Sequence, residues 1–73
     1  MVRRDTYLNK IRELGYSLKN ETKRVHIFRK KGGTHYITLH KCDKLEDEFV
    51  RSSLSQAGMS NADIKTFIDL HSV

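Results

Sequence analysis

KRVHIFRKKGGTHYITLH, residues 23–40, decides how this chain folds. Two runs, 23–30 and 34–40, are rich in β-branched and aromatic side chains, which suit a pleated, half-buried surface. Between them lies Lys31-Gly32-Gly33, where glycine permits the positive φ that a tight hairpin connection needs. Two registers are open. A three-residue loop, Lys31 to Gly33, sets Val25 opposite Leu39 and Ile27 opposite Ile37. All four aliphatics then face the core, and Arg24, His26, Phe28, Tyr36, Thr38 and His40 form an open face. A two-residue loop instead sets Phe28 opposite Ile37 and buries His26 beside Leu39. Register follows the buried apolar set, so the first is the preferred reading.

Outward from the hairpin the period changes from two to the helical one. On the N-terminal side, Tyr7, Leu8, Ile11 and Leu14 recur at helical spacing and predict a helix over 5–14, with Asp5 as its cap and Gly15 as its stop. Residues 16–19 alternate as a short strand, and Asn20, Glu21 and Thr22 read as a turn. On the C-terminal side, residues 41–44 form a polar loop. Leu45, Phe49, Val50, Leu54 and Ala57 then share a face of a helix over 45–57 that ends at Gly58. Ser60 caps a third helix, with Asp63 three residues on and Ile64, Phe67, Ile68 and Leu70 as its apolar side. The order is α-β-β-β-α-α. The fold class is therefore α+β: one domain over residues 1–73, with helices 5–14 and 45–57 covering one face of a three-stranded antiparallel sheet.

Charge points to polyanionic partners. The chain carries a net +5, from 14 Lys and Arg against 9 Asp and Glu. Residues 1–41 hold eleven of the cations but only Asp5, Glu13 and Glu21, whereas the remainder holds Lys44, Arg51 and Lys65 against six acids. A basic half of this kind favours phosphate neutralisation with release of counterions. Cys42 is the single cysteine, so no disulfide forms within the chain, which fits a reducing compartment. No apolar run approaches a membrane span and no signal-peptide pattern opens the sequence, so the expected location is the cytoplasm, without a membrane partner.

Three stretches together resemble the bacterial HicA family of toxin–antitoxin systems. IRELGY (11–16) is similar to the end of that family's opening helix, the hairpin follows at a matching length, and VRSSLSQAGMSNADI (50–64) is similar to its closing helix, most tellingly in LSQAG. The resemblance covers almost the whole chain. It implies a fold like double-stranded-RNA-binding domains, messenger RNA or structured RNA as the target, a metal-independent endoribonuclease (mRNA interferase) activity, no cofactor, and a HicB-like antitoxin as protein partner. The family places a Gly-Ser-His or Gly-Gly-His motif on the second strand, three residues before an aromatic. Counting back from Phe28 puts Lys23, Arg24 and Val25 there, so Val25 stands where the catalytic histidine would be. Gly33-Thr34-His35 imitates the motif on the next strand.

Metal-free RNA cleavage needs a base near the 2′-hydroxyl and an acid for the leaving oxygen, and histidine suits both. His26 is the first candidate for a catalytic residue and His35 the second. Because Val25 cannot move a proton, weak or absent cleavage is the expectation. Lys23, Arg24, Arg29, Lys30 and Lys31 are the expected phosphate contacts, with Phe28 and Tyr36 as an aromatic platform for exposed bases. His35, His40 and Cys42 match no closed zinc pattern, so no metal is expected. The rival reading is a non-enzymatic protein–protein interaction module. Salt separates the two, because RNA binding weakens steeply as salt rises and an apolar interface does not.

Overall fold

In the computed structural model, which describes residues 1–33 and 35–73, the chain is α+β. A two-residue strand β1 (Val2–Arg3) leads into helix α1 (Arg4–Glu13). Strands β2 (Tyr16–Glu21), β3 (Val25–Lys30) and β4 (Tyr36–His40) follow, then a short β5 (Lys44–Leu45), helix α2 (Asp47–Gln56) and helix α3 (Asn61–His71). Strands β2, β3 and β4 pair antiparallel in that order, and β1 pairs with β5 as a separate two-stranded ribbon. That ribbon went unforeseen because two-residue strands carry no periodic signal. The two chain ends meet beside it: Val2 bridges Ser72, and the Val73 N–H donates to the Met1 carbonyl.

The helix stops follow from glycine. Gly15 and Gly58 both take positive φ, at 98° and 100°. At the end of α2, the Gly58 N–H donates to Ser55 O and the Met59 N–H to Leu54 O, a Schellman pair that satisfies the last carbonyls. Ser60 caps α3 as its sequence indicates, its Oγ accepting from the Asp63 N–H at 3.2 Å. Asp5 does not cap α1. The helix begins one residue earlier, after an extended Arg3, and Asp5 lies in the first turn, where a carboxylate still favours the helix dipole.

The hairpin adopts the register that sets Phe28 opposite Ile37 and His26 opposite Leu39. The preferred alternative is thereby corrected. Residues directly opposite share a sheet face, so Phe28, Ile37 and Leu39 turn inward together and are 4, 2 and 1% exposed. Phe28 gives its ring to the core, and Val25 and Ile27 become half-buried on the outer face. Gly32 at φ 78° and a Gly33 N–H donated to Lys30 O make the tight turn. The expected start of the third strand at Thr34 lies outside the described residues.

Helices and sheet meet in one continuous core, in which Tyr7 and Ile11 of α1, Val50 and Leu54 of α2, and Ile64, Phe67 and Ile68 of α3 pack with Phe28, Ile37 and Leu39. Leu70, read as part of the apolar side of α3, points to solvent instead. Tyr7 is fully buried and its hydroxyl donates to Ser53 Oγ at 2.7 Å, tying α1 to α2. Burial pushes the Tyr7 phenol up to about 12, against the opposing hydrogen bond to Ser53. In the unfolded chain the phenol ionises near pH 10, so this stability is intact below pH 10 and is lost as pH rises through about 12. At 1.36 kcal/mol per pKa unit the loss is about 2–3 kcal/mol. Urea midpoints at pH 8 and pH 11 should therefore fall more in the parent than in Tyr7→Phe, which costs about 1 kcal/mol at neutral pH by losing the hydrogen bond.

Candidate nucleic-acid interface

The corrected register divides the expected site residues among three places. The outer sheet face, turned away from the helices, carries Ser17, Asn20, Val25, Ile27, Arg29, Tyr36, Thr38 and His40, as pairing across the strands requires. Tyr36 is 53% exposed, and the Arg29 guanidinium carbon stands 5.5 Å from the centre of its ring. Arg29 Nε donates to Gly33 O at 2.9 Å, which fixes the guanidinium plane beside the ring and leaves four further donors on the side chain. The platform is therefore Tyr36 with Arg29. Phe28 belongs to the core and offers no face for stacking, so the expected pairing of Phe28 with Tyr36 is corrected.

The remaining cations do not form one cluster. Lys23 and Arg24 sit in the β2–β3 turn and Lys30 and Lys31 at the far end of β3, about 20 Å away at a strand's rise of 3.3 Å per residue. All four are exposed. The outer face thus lies between two basic ends, with Arg29 near one of them.

The third place is the inner edge of the sheet around His26, which packs at an angle to the Phe28 ring with its side chain 20% exposed. The Arg4 guanidinium donates to His26 Nδ1 and, at 2.5 Å, to His40 O. A guanidinium cannot accept a hydrogen bond, so Nδ1 carries the lone pair and the proton sits on Nε2. That Nε2–H donates to Glu21 Oε1 at 2.7 Å, and Lys41 Nζ lies 3.2 Å from the same oxygen. The imidazole of His26 and the ammonium of Lys41 hold the Glu21 carboxyl below the usual carboxylate range. Both ring nitrogens of His26 are therefore occupied. Sequence reasoning missed Arg4, Glu21 and Lys41. The signal was the pairing of β2 with β3: ending the first strand at residue 19 hid that Glu21 stands directly opposite His26. The strand continues past that point through a bulge between Leu18 and Asn20.

His35 is held in the same manner elsewhere. Its Nε2 bonds Gln56 Oε1 at 2.7 Å and its Nδ1 the Tyr16 hydroxyl at 2.9 Å, with the Tyr16 ring edge-on at 6.1 Å. These contacts clamp the hairpin loop to the end of α2. His26 lies four residues along the hairpin from the level of His35, about 13 Å by strand rise, too far for the two to flank one phosphate. His40 pairs with Val25 and faces the opposite side of the sheet from His26. Among the described residues no three His, Cys, Asp or Glu side chains converge as a metal site requires, and no helix is long and apolar enough to cross a membrane.

Set against protein-family models, curated proteins and solved structures, the chain matches none of them.

Proposed function

We propose that this chain is a small RNA-binding domain of the HicA kind that holds RNA without cutting it. The observation that carries the reading is the outer sheet face: Tyr36 is exposed with Arg29 laid against its ring, between the basic ends formed by Lys23 and Arg24 and by Lys30 and Lys31. An aromatic ring beside a guanidinium stacks an unpaired base, and lysines on either side take the flanking phosphates. The net charge of +5 adds long-range attraction.

The occupied histidines support binding over cleavage. A general base needs a lone pair aimed at the hydroxyl it deprotonates. The Nδ1 lone pair of His26 accepts from Arg4, Val25 offers no proton chemistry, and His35 is spent on Tyr16 and Gln56. A protein partner, such as a HicB-like antitoxin in the cytoplasm, is the second reading. It is favoured by Val25 and Ile27, half-buried aliphatics beside Tyr36 on the same face.

The test uses Lys30→Ala combined with Lys31→Ala. In a gel-shift assay with labelled single-stranded and structured RNA, the double variant should bind every sequence more weakly and show a salt dependence flatter by about two contacts. Incubation of the parent with the same RNA should leave it intact with or without chelator. Undiminished binding by the double variant would show the basic hairpin end to be a solubility device. Robust cleavage that disappears in His26→Ala would restore the catalytic reading.

A further inference from the structure

We propose that Arg4, His26 and Lys41 form a binding site for a phosphate monoester, and that the Glu21 carboxylate is the anion that fills it at rest. The inference extends the RNA reading to the end of the sheet where β2, β3 and β4 meet the start of α1. It does not depend on the Tyr36 face.

Three features point to an anion. First, the Arg4 guanidinium is satisfied by a neutral imidazole and a peptide carbonyl, and among the described residues it pairs with no carboxylate. Charged acceptors make hydrogen bonds roughly twice as strong as neutral ones, so an arriving anion offers Arg4 a better partner than His26 Nδ1. Second, Glu21 Oε1 already receives the two other donors at 2.7 and 3.2 Å, from His26 Nε2 and Lys41 Nζ. One carboxylate oxygen between an imidazole N–H and an ammonium is the geometry a phosphate oxygen would take. Third, the local charge is unbalanced. The Lys41 N–H donates to Arg24 O, which brings the backbone of the basic Lys23–Arg24 turn alongside the site, where Glu21 is the carboxylate that receives both His26 and Lys41. In the adjoining cleft Arg3, Arg4 and Lys44 stand against Asp5 and Asp43, so positive charge is in excess there too.

The charge count selects the ligand class. Glu21 supplies one negative charge through an exposed side chain on an edge strand. A phosphodiester also supplies one, so it gains little by displacing Glu21. A phosphate monoester near neutral pH supplies close to two, with three strong acceptor oxygens, enough to engage Arg4, His26 and Lys41 together. Glu21 then turns out to solvent and leaves Nε2–H as a donor to the phosphate. The group could be the terminal phosphate of an RNA strand or a small phosphomonoester.

The experiment follows the His26 ring and the Arg4 side chain by NMR, in phosphate-free buffer, as inorganic phosphate is added. Saturable shifts at both are expected. Glu21→Gln, which removes the resident charge, should bind inorganic phosphate about tenfold more tightly, and Lys41→Gln about tenfold more weakly, the effect of one charge-assisted hydrogen bond. Both positions are exposed, so both variants should fold as the parent does. Oligoribonucleotides with a 5′-phosphate, a 3′-phosphate or hydroxyl ends then separate the sources. Tighter binding of a phosphorylated end assigns the site to RNA termini, and equal binding with phosphate still shifting His26 assigns it to small phosphomonoesters. Phosphate that leaves His26 and Arg4 unmoved in both the parent and Glu21→Gln overturns the proposal even if RNA binds elsewhere. Phosphate binding in a protein that ignores RNA would keep the site and remove the RNA reading instead.

Discussion

Phe28→Ala should cost about 3–5 kcal/mol, the usual range for truncating a buried phenylalanine to alanine. A domain of this size holds about 4–11 kcal/mol in total at 0.05–0.15 kcal/mol per residue, so the variant should stand near its unfolding threshold. The ring is 4% exposed and packs in the core with Ile37, its cross-strand partner. Tyr36→Ala should behave in the opposite way. Its ring is exposed and touches Arg29, a contact worth about 0.5–1 kcal/mol at such a site. On the proposed RNA-binding reading its effect falls on RNA, where loss of one stacking partner costs about 1–3 kcal/mol, or roughly 5- to 150-fold in affinity. Urea denaturation followed by circular dichroism reads the first effect, and a binding titration reads the second. If Phe28→Ala destabilised the fold as little as Tyr36→Ala did, both aromatics would share the open face, as in the discarded register.

Much of the architecture was legible because it rests on periodicity and punctuation. Tyr7 and Ile11, Val50 and Leu54, and Ile64 and Phe67 all pack inward, and Gly15, Gly58 and Ser60 end or begin helices where their chemistry indicates. The hairpin register was the hard point. Both faces of β3 carry apolar residues, Val25 and Ile27 on one and Phe28 on the other, so alternation does not choose between them. The decision belongs to the volume available under the helices, which a linear pattern does not contain. That one-residue step moved Phe28 into the core, turned His26 inward beside Glu21, and left Tyr36 with Arg29 as the outer platform. Lys23, Arg24, Lys30 and Lys31 are exposed and Arg29 is half-buried, and the length of β3 separates the first two from the rest, which adjacency in a list of cations does not reveal. Arg4 reaches His26 across a sequence separation of 22, and Lys41 joins it through Glu21 on another strand, and no local spacing announces such contacts.

The largest functional effect should come from salt. If Lys23, Arg24, Arg29, Lys30 and Lys31 each neutralise one phosphate, the logarithm of the binding constant should fall against the logarithm of salt with a slope of about −3.5, at roughly −0.7 per contact on a single strand. Raising salt fourfold, from roughly 50 to 200 mM, should then weaken binding about a hundredfold. The separation of the two basic ends predicts that the slope builds up with oligonucleotide length, because a short strand reaches only one end. An apolar partner held by Val25, Ile27 and Tyr36 would show almost no such dependence. The direct measurement is a fluorescence-anisotropy titration of a labelled oligoribonucleotide with the parent protein across that salt range. A slope near −3.5 that becomes shallower in Lys30→Ala/Lys31→Ala is the expected result, whereas a flat line, or no binding at the lowest salt, would contradict the RNA-binding account.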